Sequence, residues 1–469
     1  MVPTAENYDV VIIGGGPAGY AAALYGAAAG LEIALVEMQK VGGTCLHVGC
    51  IPAKELLETA SVYRTVGHAG DFGVQVGEAT LDFSVTQTRK QAVIDQLFAG
   101  LTGLLKKRKV TVLDGVGRLG PGRTVTVSGG QSGDLELTGD AVVLATGSRP
   151  RTIPGFDIDG TLVVTSDEVL SLQQVPPRAA VIGGGAIGCE FASMMSDLGS
   201  AVTLIEALPK ILPGCDEDAA KVVHRSFTKR GIDVHTGVMV SGHTPGSDGT
   251  QVHFGDDQHV DVDVVVMSVG RRPYTDGLGL ESTAVAVTDR GFIQVDDRLR
   301  TGEAGVYAIG DVIDTAQLAH VGFAEGMFII RDILGEPANP VDYGTVPWCI
   351  YCHPEVAFAG LTEAGATEAG FDVVTSTHRF MGNGRAMIVG DTDGLVKVIA
   401  EKRPDGTAGR ILGVHMVGPW VTEQLGQAYL AVNWEATVDE VAAFIQPHPT
   451  MSELFGETVM ALTGRGLHG

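Results

Sequence analysis

Tyr8-Asp-Val-Val-Ile-Ile-Gly14-Gly-Gly16-Pro-Ala-Gly19 runs from an apolar stretch through a glycine turn into an alanine-rich segment. A second apolar stretch, Ile33-Ala-Leu-Val-Glu37, follows and ends on an acid. This order reads as strand, glycine loop, helix and strand, the unit that binds a dinucleotide. Gly14 makes the tight turn, and Gly16 lets the backbone approach a pyrophosphate. Gly19 lets the helix pack on the sheet. The helix N-terminus then turns unpaired N–H groups toward the phosphates. Glu37 is placed to accept hydrogen bonds from a ribose.

The chain repeats this unit. Arg178-Ala-Ala-Val-Ile-Gly183-Gly-Gly185-Ala-Ile-Gly188 is followed by Ala201-Val-Thr-Leu-Ile-Glu206. In both copies the acid lies 23 positions after the first glycine, Gly14 to Glu37 and Gly183 to Glu206. A single GxGxxG can be an ordinary turn. Two copies, each flanked by strands and closed by an acid, point to two dinucleotides, one a flavin and one a nicotinamide nucleotide. Glu206 would repel a 2′-phosphate, and Ala207-Leu-Pro-Lys lacks an arginine to welcome one, so NAD(H) is expected over NADP(H).

Other landmarks repeat too. Ala141-Val-Val-Leu-Ala-Thr146-Gly147 is a short buried strand ending on glycine, followed by a connection from Arg149 to Pro154. Val264-Val-Val-Met-Ser-Val-Gly270 matches it in the second copy, and Val306-Tyr-Ala-Ile-Gly310-Asp311 is a further strand ending in Gly-Asp. From about Pro347 the pattern changes. Strands near 394–400 and 411–417 precede helical periods at 423–433 and 438–444, which reads as a separate α+β domain.

Composition narrows the function. The 469 residues carry 32 Lys plus Arg against 56 Asp plus Glu, a formal charge of −24. That balance excludes a phosphate-binding basic face of the kind nucleic acids need. The basic run Lys106-Lys107-Arg108-Lys109 closes an amphipathic stretch through Ile94, Leu97, Leu101, Leu104 and Leu105 and reads as a solvated helix end. No run of about 18 apolar residues suggests a membrane span. The first residues have no basic region or cleavage site of a secretory signal, so a cytoplasmic location is expected. Glycine, at 65 residues, is about twice its usual share, consistent with many tight turns.

Six cysteines occur: Cys45, Cys50, Cys189, Cys215, Cys349 and Cys352. In a large cytoplasmic chain a pair that matters should be catalytic or metal-binding. Gly42-Gly-Thr44-Cys45-Leu-His-Val-Gly-Cys50-Ile-Pro-Ala-Lys54 is the most informative segment. On an ideal helix these two cysteines would have Cα atoms roughly 8–9 Å apart, too far for an unstrained bridge. Gly49 and Pro52 permit a distorted turn, and a bridge there would be reducible and open to exchange. A helix N-terminus nearby would favour a thiolate. Two other readings stand beside this one: a metal site with His47, whose spacing fits no usual zinc pattern, and two unrelated core residues.

The segment from Gly42 to Lys54 resembles the redox motif of the pyridine nucleotide–disulfide oxidoreductases, and most of all the members that use lipoamide. The resemblance spans nearly the whole chain. It includes both glycine loops, Gly270-Arg-Arg-Pro, Tyr307-Ala-Ile-Gly-Asp311, Leu318-Ala319-His320, His353-Pro-Glu355 and His448-Pro-Thr-Met-Ser-Glu453. It implies an α/β architecture of two Rossmann-like dinucleotide-binding domains plus a C-terminal α+β dimerisation domain. The expected divisions are an FAD-binding domain at 1–150, an NAD-binding domain at 151–275, a central domain completing the FAD site at 276–346, and an interface domain at 347–469.

The resemblance also implies roles. FAD is expected on Gly14, Gly16, Gly19, Glu37, Thr44, Lys54, Thr146, Gly147, Asp311 and Ala319. NAD is expected on Gly183, Gly185, Gly188, Glu206 and Gly270. Cys45 is the expected interchange thiol and Cys50 the thiol beside the flavin. Lys54 is expected near the reactive flavin nitrogen, paired with Glu190. His448 is the expected acid–base catalyst, oriented by Glu453 and reaching the disulfide of the other subunit of a homodimer. The chemistry fits: dithiol oxidation needs a thiolate, and a histidine held by a carboxylate can take the proton. No resident metal is expected. The implied reaction is oxidation of dihydrolipoamide with reduction of NAD+. Implied partners are a lipoyl domain and a 2-oxo acid dehydrogenase complex.

Some residues depart from the family pattern. His47 stands where asparagine is usual, and its ring could alter charge near the cysteines or simply lie exposed. Gln446-Pro447 precedes His448, the loop 319–326 is less charged than is usual, and Cys349 and Cys352 stand where members have aliphatic residues or threonine. A strand through 349–352 would turn those two thiols to opposite faces, so small core residues are expected there, not a second redox pair. These positions lie near the expected substrate channel. They keep open a second reading, a reductase of another low-molecular-weight disulfide, and a third, a flavin-binding protein without catalysis.

Overall fold

The computed structural model describes residues 6–130 and 133–468, which divide into two compact units. The first holds residues 6–56, 84–151 and 270–343. The second holds 57–83, 152–269 and 344–468.

The first unit is built on one sheet. Parallel strands Thr111–Asp114, Ile33–Glu37, Glu6–Ile13 and Leu135–Leu144 form its centre. Val306–Ala308 adds in parallel to Leu135–Leu144. A hairpin of Val116–Gly120 and Thr124–Ser128 pairs antiparallel with the first half of Leu135–Leu144, on the same side as Val306–Ala308. Val10, Val11, Ile12, Leu35, Val142 and Val143 have no solvent exposure, as expected for strands covered on both faces. Each such side chain contributes about 1.5–3 kcal/mol relative to an exposed one. Helix Pro17–Ala28 follows the first loop. Helix Ala319–Ile333 lies directly on it: a Cβ at Gly322 or Gly326 would strike Ala18 at 3.0 or 2.7 Å.

The second unit has three sheets. Parallel strands run in the order Asp233–Thr236, Ala201–Glu206, Arg178–Ile182, Val264–Met267, Val163–Val164. Val240–Gly246, Gly249–Phe254 and Gln258–Val262 form an antiparallel three-stranded sheet. The C-terminal residues form a five-stranded antiparallel sheet in the order Trp348–Ile350, Glu355–Gly360, Ala408–Gly418, Leu395–Lys402, Val373–Arg379. Helices Val421–Asn433 and Glu453–Ala461 cover it. Lys397, buried, ties this sheet to Asp216 at 3.0 Å and Asp218 at 2.8 Å, at the start of helix Glu217–Lys229, and also pairs with Glu363 at 2.6 Å.

Three local expectations change. The strand ending before Thr146 starts at Leu135, because its first half alternates polar and apolar residues instead of running apolar throughout. The amphipathic stretch is a helix, Phe83–Lys107, but it buries Ile94 and Leu105 and leaves Leu97 and Leu104 more than two-fifths exposed. The strand at Trp348 stops at Ile350, so the opposite-face argument does not reach Cys352. Instead each thiol has its own partner: the Cys349 Sγ lies 3.8 Å from the Thr422 carbonyl, and the Cys352 Sγ lies 3.2 Å from that of Pro354.

Candidate active site

The two glycine loops superimpose bond for bond. Gly14 N donates to Val36 O at 2.8 Å, and Gly183 N to Ile205 O at 2.8 Å. Glu37 accepts from Gly15 N at 2.7 Å and Gln39 N at 2.8 Å. Glu206 accepts from Gly184 N at 2.5 Å and Leu208 N at 2.7 Å. In each copy a carboxylate therefore braces the turn. A Cβ at Gly14 would strike Ala145 O at 2.2 Å, and one at Gly183 would strike Ser268 O at 2.4 Å, so both need glycine. Their φ values of +108° and +103° require it as well. Gly16 and Gly185 differ from these. A Cβ would meet nothing within 4 Å at Gly185 and only Gly43 Cα at 4.0 Å at Gly16. An open backbone face at a helix N-terminus is what a pyrophosphate requires.

The cysteine segment is tied to the first loop. Gly42 N donates to Gly15 O at 2.7 Å, and a Cβ on Gly43 would strike Gly16 Cα at 2.6 Å. Helix Gly43–Val48 is broken at Gly49, whose φ of −146° and ψ of −114° are not helical, and helix Cys50–Gly67 begins at once. That break is the distorted turn the spacing required. The Cys45 and Cys50 side chains are in hydrogen-bond contact. The Cys50 side-chain bond and burial push the Cys45 thiol well up, against a lowering by Lys54. The helix N-terminus itself lies at Cys50, which occupies the first position of the 18-residue helix. Tyr20 adjoins the pair. Burial, with Cys45 and Cys50 beside it, raises its hydroxyl to about 12, and its ring lies 5.6 Å from that of Phe323. His47 is neither exposed nor free. Its Nε2 pairs with Val41 O at 2.9 Å and its ring meets Phe98 edge-on.

Other expected flavin contacts belong to the same unit. Thr146 Oγ1 donates to Tyr274 O at 2.6 Å, and Gly147 O accepts from Tyr274 N at 2.9 Å. Asp311 accepts from Ser148 Oγ at 2.5 Å, which Arg271 also contacts at 2.7 Å. Burial raises the Asp311 carboxyl. Glu325, fully buried, accepts from Gly310 N, Thr315 Oγ1 and Tyr343 OH and so fixes the turn that carries Asp311. Ala319 opens its helix and Thr44 is exposed. Gly270 is exposed, and its carbonyl accepts from Arg151 N at 3.0 Å. The sequence reading missed Tyr20, Ser148, Arg271 and Glu325. Only Glu325, an acid in an otherwise apolar helical run, left a signal.

In the second unit His448 Nδ1 pairs with Glu453 Oε2 at 2.9 Å, and the imidazole is largely exposed. Asn383, buried, donates to Thr450 O at 2.9 Å and Glu453 Oε1 at 3.3 Å, steadying that carboxylate. Such an arrangement fixes the tautomer and leaves Nε2 free to take a proton. Glu190, nearly buried, accepts from Tyr351 N at 2.9 Å. Lys54 and Glu190 fall in different units. Burial pushes Cys189 and Cys352 well up and Cys215 to about 12, so these are inert core thiols. Among the described residues no cluster of His, Cys, Asp or Glu could hold a metal, and no helix is long and apolar enough to cross a membrane.

Comparison with known proteins agrees with this geometry. Residues 8–326 match the model of the pyridine nucleotide-disulphide oxidoreductases, and residues 346–459 match that family's dimerisation domain. A dihydrolipoyl dehydrogenase of Bacillus subtilis (strain 168) is 43% identical over 478 residues, covering 99% of this chain and 100% of its own. The crystal structure of LpdA from Mycobacterium tuberculosis superimposes with a TM-score of 0.90 at 27% identity, covering 98% and 100% of the two chains. The HOCl-induced flavoprotein disulfide reductase RclA from Escherichia coli gives 0.86 at 29%, covering 97% and 99%. The chain belongs to the pyridine nucleotide-disulphide oxidoreductases.

Proposed function

We propose that this chain oxidises dihydrolipoamide to lipoamide and reduces NAD+, with Cys45 and Cys50 as the exchanging pair. The observation that carries this reading is the pair itself: two thiols in contact across a broken helix, pinned to a dinucleotide loop. FAD and NAD(H) are the cofactors, and bound FAD supplies a two-electron carrier between the thiols and the nicotinamide. Residues 1–150 with 276–346 would hold FAD, 151–275 would hold NAD(H), and 347–469 would form the subunit interface. Gly14, Gly16, Gly19 and Glu37 would bind the FAD pyrophosphate and ribose, while Asp311, Thr146, Gly147 and Ala319 would line its remainder. Gly183, Gly185, Gly188, Glu206 and Gly270 would serve NAD(H).

The residues supply the proton and sulfur chemistry. With Cys45 and Cys50 joined, a substrate thiolate attacks the Cys45 sulfur, forming a mixed disulfide and releasing Cys50 as a thiolate. The second substrate thiol then displaces Cys45 and closes lipoamide. His448 of the partner subunit takes the substrate proton, and its Glu453 stabilises the imidazolium. Two electrons leave the substrate and end on NAD+, with one proton released. Lys54, which lowers the Cys45 thiol, is placed to hold negative charge at the pair, and Glu190 would be its partner. The physiological acceptor would be a lipoyl domain of a 2-oxo acid dehydrogenase complex, acting in the cytoplasm.

A second reading, reduction of another disulfide, is favoured by the likeness to RclA. Steady-state turnover of the purified homodimer separates the two. NADH formation from dihydrolipoamide and NAD+, with NADP+ a poor substitute, is the expected result. A protein whose flavin NADH reduces, yet which ignores dihydrolipoamide, would move the assignment to the second reading.

A further inference from the structure

The match between the two glycine loops fails at one buried atom. Ala145 and Ser268 hold the same place. A Cβ on Gly19 would meet Ala145 Cβ at 3.4 Å, and one on Gly188 would meet Ser268 Cβ at 3.4 Å. Ala145 N donates to Ile13 O and Ser268 N to Ile182 O, both at 2.8 Å. The backbone is thus the same, and the second copy adds a hydroxyl. That Oγ is buried and has no hydrogen-bond partner. The equivalent alanine shows that the fold does not need it. A buried hydroxyl left unpaired is costly, and such groups are few in folded proteins.

We infer that Ser268 is a positioning residue for the nicotinamide nucleotide, donating its hydroxyl to an oxygen of the dinucleotide's phosphate–ribose portion. This rests on the reading of the second loop as the NAD(H) site. Its surroundings are those of the cradle: Gly183, which turns the loop, and Gly188, the third glycine, both touch Ser268. The residue as a whole keeps partial exposure. Rotation about its one Cα–Cβ bond therefore moves the hydroxyl between staggered positions at small cost. A phosphate oxygen is a charged acceptor, which makes such a bond stronger than a neutral one. The first loop, with a methyl at this place, has no such donor.

The test is NAD+ binding to the oxidised holoenzyme by titration calorimetry, which involves no turnover. Ser268→Ala is expected to raise the NAD+ Kd about tenfold, the effect of one hydrogen bond to a charged group. FAD content should be unchanged and the melting temperature no lower than in the parent, because the variant carries the residue of the first copy. Gly185→Ala serves as the control for the site. An unchanged Kd in Ser268→Ala beside a weakened one in Gly185→Ala would overturn the inference alone. Unchanged binding in both would overturn the reading of the second loop with it. A lower melting temperature at unchanged Kd would make Ser268 a packing residue and overturn the inference too.

Discussion

The first and second glycine loops share their turn, their braced acid and their packing glycines, yet they diverge a few residues later. Gly15 O accepts from Gly42 N, and the chain then enters the cysteine helix. Gly184 O accepts from Leu212 N at 2.8 Å, and the chain then reaches buried Cys215 and the capping Asp216. The same hydrogen bond thus delivers two cysteines in contact beside one glycine loop and a core thiol beside the other. One supersecondary unit fixes where a dinucleotide lies. The segment hung from it decides whether chemistry happens there.

The largest effect should follow from breaking that difference. Cys50→Ser should abolish dihydrolipoamide–NAD+ turnover while leaving NAD+ affinity unchanged, because only the first loop carries the exchanging pair. Appreciable turnover, measured by NADH absorbance, would detach chemistry from this segment. His448→Gln should lower turnover on the order of a hundredfold with FAD retained, as loss of a general base does. A rate near the parent's would remove His448 from the mechanism.

Acid should loosen the packing around two buried histidines. Burial lowers His415 to about 4 and His353 to about 3, both in the second unit. Unfolding lets each histidine take a proton as the pH drops below about 6.5, so the second unit loses stability from there down to about 4. For His415 the loss is on the order of 3 kcal/mol. Burial raises the carboxyls of Asp311 and Glu325 in the first unit and of Glu355 and Asp391 in the second. Those carboxyls bind protons more tightly folded than unfolded, so their contribution grows as the pH falls. Hydrogen exchange between pH 7 and 4 should therefore show strand Ala408–Gly418, which carries His415, losing protection as the pH falls, and unchanged protection there would contradict this sign.

Smaller effects would sharpen the loop comparison. Gly185→Ala faces open space and should fold normally while weakening NAD+ about tenfold by obstructing the pyrophosphate. Gly183→Ala meets backbone and a positive φ and should cost about 1–3 kcal/mol of stability, read as a lower melting temperature. Equal behaviour of the two variants would mean the cradle is misassigned. Glu206→Ala should narrow the NAD over NADP preference severalfold, measured as a ratio of kcat/KM. An unchanged ratio would show that this acid braces the turn without reading the ribose.

Much of this was legible because it is local. Gly14 to Glu37 and Gly183 to Glu206 are strand, turn and helix signals within a few residues of one another. Cys45 and Cys50 announced their broken helix through Gly49, and His448 and Glu453 are five residues apart. What stayed hidden depends on distant contacts. Asn383 reaches Glu453 across 70 positions, and Ser148 reaches Asp311 across 163. The contact between the Cys45 and Cys50 side chains, and the burial that raises the Cys45 thiol, need side-chain positions to see. Leu97 and Leu104 have the period of a buried face, but the helix presents them to solvent within the single chain. Periodicity marks an apolar stripe without naming what covers it.

The most direct test of the central claim is one anaerobic experiment on the yellow holoenzyme: dihydrolipoamide is added first, NAD+ second, and the spectrum is followed throughout. The account predicts that dihydrolipoamide alone changes the flavin band and that NAD+ then restores it with a stoichiometric rise of NADH absorbance. It also predicts that Cys50→Ser shows neither change. A flavin that dihydrolipoamide leaves untouched, or one that responds equally in Cys50→Ser, would contradict it.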